Sequence, residues 1–164
     1  MPLPRLLLLC ALLSLGLASG AAAADPDSSG PVGSKWSTDY RAALATARSE
    51  KKLVLLDFTG SDWCVWCHRL HDEILSQKPF LDYADEQLVL VELDFPQNKP
   101  QSDELKRQNQ TLAEKFGVTG YPTIILMNAE GHELGRSGYM QGGPKTFVRE
   151  LKRLAAANAE LPAP

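Results

Sequence analysis

A mixed α/β sheet flanked by helices on both faces is the fold class this sequence predicts, on three observations. Apolar runs of strand length (Lys52–Phe58, Leu88–Phe95 and Thr123–Met127) alternate with stretches of helical periodicity. A strand–helix–strand order implies parallel neighbours, because parallel strands need a long crossover. A short turn, Asn128–Gly131, then leads into a returning strand, His132–Ser137, which implies an antiparallel hairpin in the same sheet. The chain has 164 residues, 44% hydrophobic and 23% charged, which suits one domain of ordinary globular composition.

Each element has a local reason. Ser37 is a candidate N-cap for a first helix that places Tyr40, Ala43, Leu44 and Ala47 on one face. Lys52–Phe58 (KLVLLDF) is a continuous apolar run, as in a strand buried on both faces. Helical character runs from Cys64 to about Gln77, with Leu70 and Ile74 one turn apart, until Pro79 interrupts it. Leu88–Phe95 is the second strand. Glu104–Phe116 repeats Leu105, Leu112 and Phe116 at helical spacing, and Gly117 can end that helix. Thr123–Met127 is the third strand. Gly143-Pro144 opens a last helix whose apolar face is Phe147, Val148, Leu151 and Leu154.

These elements fill one expected domain, residues 34–158. Ahead of it, residues 1–24 read as a signal peptide. Arg5 supplies the charge, Leu6–Leu17 the apolar core, and Ala18–Ala24 the small residues where a peptidase cuts. The core is short for a membrane span, which needs roughly 20 apolar residues. Residues 25–33 read as a polar Pro/Gly/Ser linker, and residues 159–164 as a frayed tail. The expected location is therefore the periplasm, or another compartment reached by secretion. The net charge of −3, with no run of like charge, argues against a nucleic-acid partner.

Removing residues 1–24 leaves two of the three cysteines, Cys64 and Cys67, in one C-x-x-C. Exported proteins meet an oxidising compartment, where thiols pair. So short a loop constrains the unfolded chain little, so the pair is a poor staple and reads as working chemistry. A strand ends, a Gly-containing turn follows, and a helix begins at or near Cys64. Residues three apart at a helix start come within disulfide reach, about 5.5 Å between Cα atoms. The positive end of that helix stabilises a thiolate on the first cysteine. Cys64 is thus the expected exposed nucleophile, and Cys67 the more buried resolving thiol. Asp57, on the buried strand just before the site, is the candidate to take the proton from Cys67.

The stretch Phe58–Cys67 (FTGSDWCVWC), with Gly120-Tyr121-Pro122-Thr123, resembles the thioredoxin family, and most closely its secreted bacterial members with a WCxWC site. The resemblance covers nearly the whole expected domain. It implies that the C-x-x-C is the redox centre and that no cofactor is needed. It also implies that Pro122 follows a cis bond and that Gly120, Tyr121 and Pro122 face the cysteines, where an extended substrate pairs. The partners implied are protein disulfide or dithiol clients, and a membrane or periplasmic thiol that donates or accepts electrons. Trp63 and Trp66 would give clients an apolar platform or shield the site. Two departures stand out. The turn from Asp57 to Cys64 is one residue longer than in cytosolic thioredoxin, which bears on how Asp57 reaches Cys67. The central pair is Val65-Trp66, not Gly-Pro, and such pairs tune potentials between about −270 and −120 mV, leaving the direction of electron flow open.

Two other chemistries fit parts of the same stretch. Cys64, Cys67, His68 and His71 lie at i, i+3, i+4 and i+7, nearly one helical face, and all are residue types that bind zinc or copper. Cys64–His68 also spells C-x-x-C-H, the c-type haem attachment pattern. Asn109-Gln110-Thr111 fits the N-glycosylation pattern, but lies inside an expected helix.

Overall fold

The computed structural model describes residues 35–158; the expected signal peptide, linker and tail lie outside them. Five strands form one sheet in the order β1-β3-β2-β4-β5. They are β1 (Trp36–Ser37), β2 (Leu53–Thr59), β3 (Leu88–Asp94), β4 (Thr123–Met127) and β5 (Glu133–Ser137). β1 and β2 run parallel to β3, whereas β4 is antiparallel to both β2 and β5, so the sheet is mixed as the connection lengths require. The helices are α1 (Tyr40–Glu50), α2 (Val65–Leu70), α3 (Lys78–Gln87), α4 (Asp103–Lys115) and α5 (Gly143–Asn158). α2 runs on into a π turn, His71–Leu75. Among the described residues, no helix is long and apolar enough to cross a membrane.

Alternation along β2 sorts the core into two layers. Val54, Leu56 and Phe58 point to the face covered by α1 and α4, where they meet Ala43, Ala47, Leu112 and Phe116. Leu55 points to the other face and packs with Leu70 of α2, Ile74 of the π turn, Phe80 of α3, and Phe147 and Leu151 of α5. Asp57, two residues on, shares that second face. β2 is buried on both sides, which explains its near-continuous apolar sequence.

Three expectations need correction. Ser37 belongs to β1, and Asp39 caps α1, its Oδ1 accepting from Ala42 N at 2.9 Å. Ser37 Oγ instead accepts from Asp39 N at 3.0 Å, one step ahead of the cap. Pro79 begins a helix rather than ending one: it sits in the first turn of α3, where no intrahelical acceptor awaits its missing N–H. The helical stretch from Cys64 to about Gln77 is found as α2 plus the π turn, but the chain does not pass from it straight to the strand at Leu88, because α3 intervenes as a separate element.

Candidate active site

The redox pair is assembled where β2 hands over to α2. After Thr59 the chain turns within Gly60–Cys64, with Cys64 N donating to Gly60 O at 2.9 Å. Cys64 is the N-cap of α2, in an extended conformation (φ −88°, ψ 102°), and its Sγ accepts from Cys67 N at 3.2 Å. The two sulfurs are joined in a disulfide, with Cα atoms 5.2 Å apart. A capping sulfur that receives a backbone N–H holds negative charge well, since the first N–H groups of a helix have no internal acceptor. The expectation of an exposed Cys64 is corrected. It is 6% exposed against 4% for Cys67, to which its sulfur is bonded. Surface around the pair comes instead from Trp63, Val65 and Trp66, at 38, 66 and 53% exposure.

The tryptophans have different surroundings. Trp63 Nε1 donates to Phe95 O at 2.9 Å, and its ring meets Tyr121 edge-on at 5.8 Å. The ring also lies against Gly60, where an added Cβ would come within 2.5 Å of it, so any side chain there would displace the ring. Trp66 packs on Tyr139 at 5.3 Å, with the Arg69 guanidinium over both rings. Glu73 closes this group, accepting from Arg69 Nε at 2.8 Å and from Tyr139 Oη at 2.6 Å.

Gly120, Tyr121 and Pro122 arrive at the same end of the sheet because Thr123 pairs with Phe58, the penultimate residue of β2. The Tyr121–Pro122 bond is cis, as the resemblance implied. Thr123 Oγ1 donates to Gly120 O at 2.7 Å, closing that turn.

Beneath the redox helix lie carboxylates in unlike states. Asp57 is 7% exposed, and its Oδ1 has no hydrogen-bond partner. Burial, then the nearby charges of Glu92 and Asp94, push its pKa up to about 8. Glu92, opposite Asp57 in the β2–β3 register, is half-buried; burial and Asp94 raise its pKa, while His71 and Lys99 act to lower it. Asp94 has both oxygens engaged, with Ser61 N donating to Oδ1 at 2.8 Å and Ser61 Oγ to Oδ2 at 2.6 Å. Asp62 accepts from Gln97, Asn98 and Lys99 N at 2.6–3.1 Å, which holds its carboxyl below the usual range. Ser61 and Asp62 thus tie the turn before Cys64 to the end of β3 and its following loop. Sequence reading missed these two residues, although they lie inside the quoted stretch. It also missed Glu92 and Asp94, whose signal was two acids spaced two apart in an apolar strand.

The metal and haem readings lose their geometry here. His68 Nε2 is 2.9 Å from Ser61 O, His71 Nδ1 is 3.0 Å from Asp72 Oδ1, and the two cysteines are bonded to each other. Among the described residues, no three His, Cys, Asp or Glu side chains converge on a common point. His68 stands on the surface, not in an apolar crevice. Asn109 is 1% exposed and donates from Nδ2 to Asp94 O at 2.9 Å, a structural amide inside the fold.

A mixed sheet between two helical layers, with a disulfide pair at a helix cap and a cis-proline turn at the same end of the sheet, defines a thioredoxin-like thiol–disulfide oxidoreductase. A family model described as thioredoxin-like domain matches residues 40–155, and the chain belongs to that family. It is 40% identical over 113 residues to the disulfide bond reductase DsbH of Chlamydia pneumoniae, covering 69% of this chain and 68% of the relative. It is 33% identical over 127 residues to the thioredoxin-related protein DsbJ of the same organism, covering 77% of this chain but 36% of that longer relative. Among solved structures, a DsbH oxidoreductase superposes with a TM-score of 0.71 at 34% identity, covering 82% of this chain and 95% of that one.

Proposed function

We propose that this chain is an exported reductase of protein disulfides. The observation that carries the reading is the Cys64 sulfur at the helix cap, receiving Cys67 N–H and within bonding reach of the second sulfur. In the dithiol form, Cys64 thiolate attacks a client disulfide, forming a mixed disulfide and releasing one client thiolate. Cys67 gives its proton to Asp57 and attacks Cys64 Sγ. The second client thiolate leaves, and the Cys64–Cys67 disulfide carries the two electrons' worth of oxidation. A periplasmic or membrane dithiol then restores the pair. Trp63 and Trp66 are exposed beside the cysteines in sequence and the Gly120–Pro122 turn lies at the same end of the sheet, so an extended client segment would lie there, with backbone pairing at Tyr121 to hold it.

Reduction is favoured as the direction because the 40%-identical relative is named a disulfide bond reductase. Export is supported by the charged, apolar, small-residue order of residues 1–24. The test is catalysis of protein-disulfide reduction by a small thiol. Cys64→Ser should abolish turnover, and Cys67→Ser should accumulate mixed disulfides visible on non-reducing gels. Full activity in both variants would overturn the proposal.

A further inference from the structure

Asp57 has a proton to manage and almost no surface through which to manage it. At 7% exposure, with Oδ1 sealed and unpaired, the carboxyl exchanges protons with bulk water poorly on its own. The charged groups facing it are Glu92 and Asp94 on β3, while its β4 neighbour in register is the apolar Ile124. Asp94 is not the carrier: both its oxygens are occupied by hydrogen bonds donated by Ser61. Glu92 is different. It stands opposite Asp57 across the parallel ladder, it is half-buried, and the charges of His71 of the π turn and Lys99 of the loop after β3 act on it. Asp57 thus has, as its β3 neighbour in register, a carboxylate that is less buried than itself.

We infer that Glu92 is the proton outlet of Asp57, a positioning residue that acts through Asp57 and never touches the client. This rests on the function proposed above. The steps balance as proton transfers only. Cys67 S–H gives its proton to the Asp57 carboxylate as the Cys67 thiolate forms a bond to Cys64 Sγ and the client thiolate leaves. Protonated Asp57 passes that proton to the Glu92 carboxylate, and Glu92 releases it to water, which restores the ionised fraction of Asp57 that accepts the next proton.

Charge alone and proton relay have opposite consequences at Glu92. Were Glu92 acting only as a neighbouring negative charge, Glu92→Gln would lower the pKa of Asp57 and leave more of it ionised and ready at pH 7. Resolution would then be as fast or faster. Removal of a relay slows resolution instead, and a small diffusible base restores it. The measurement is the rate at which a preformed Cys64 mixed disulfide with a labelled peptide releases that peptide, from pH 6 to 9, with and without added imidazole at fixed ionic strength. Glu92→Gln should slow release at pH 7 about tenfold, less than the ~10²-fold of a direct proton-transfer group. Imidazole should recover the rate in a saturable way, and Glu92→Asp should retain most of it. An unchanged or faster rate in Glu92→Gln, or a slow rate that imidazole does not touch, overturns the relay. Asp57→Asn separates the two claims: if it slows release while Glu92→Gln does not, only the relay fails. If Asp57→Asn is itself neutral, the proton role assigned to Asp57 fails with it.

Discussion

On the face of the sheet covered by α1 and α4, Val54, Leu56 and Phe58 meet other apolar side chains, and the buried amide Asn109 has a partner at each end. On the opposite face the row through Leu55 gives way to Asp57, whose Oδ1 has none. Both polar groups lie toward the same end of the sheet, against β3. A satisfied buried amide fixes a position, since its hydrogen bonds exist in one arrangement. An unsatisfied buried acid stabilises nothing as it stands, and its free oxygen is available for chemistry. The first face holds the molecule together, and the second holds a reactive group in place.

Three substitutions test that contrast. Phe58→Ala, in the apolar layer, should cost about 3–5 kcal/mol in urea unfolding, the usual loss for a large buried ring. Its pH dependence of resolution should match that of the parent wherever it remains folded. Asp57→Asn should act in the other sense. The folded chain keeps the Asp57 proton up to about pH 8, whereas the ordinary value is 3.8. Between those values the folded state binds more protons than the unfolded state, so stability falls as pH rises through the window and levels off above it. Asparagine removes that slope. The variant should exceed the parent at pH 9 by on the order of a few kcal/mol, read as a higher urea midpoint, while catalysis falls. Asn109→Ala should cost about 1–3 kcal/mol, with reduction of a test disulfide essentially retained at temperatures where the variant is folded. If Asn109→Ala instead slowed catalysis and Asp57→Asn did not, the roles assigned to the two faces would be exchanged.

Much of this layout is legible in the sequence. Strand runs such as LVLLDF and TIILM announce a buried sheet because no polar face interrupts them, and Thr123–Met127 falls on β4 as read. Cys64, Cys67 and Pro122 stand out because few other roles suit those residues at that spacing. β1 escaped because two residues carry no periodicity, and its pairing with Trp36 opposite Leu90 is set by the partner strand. α3 escaped because Pro79 suits either the end of one helix or the start of another, and the side chains it packs against decide which. The links from Ser61 and Asp62 to Asp94 and residues 97–99 join segments more than thirty positions apart, which no local pattern encodes. Glu92 is legible only once the register puts it opposite Asp57.

The burial of Asn109 also bears on how the protein is best made. Its Nδ2, the atom a glycosyltransferase would modify in Asn109-Gln110-Thr111, is committed to the Asp94 carbonyl beneath α4. Oligosaccharide could be attached there only to a chain that has not yet closed, and it would then hold α4 away from β3. A bacterial host is the sound choice for production, and a yeast or mammalian secretory host calls for Thr111 to be replaced first.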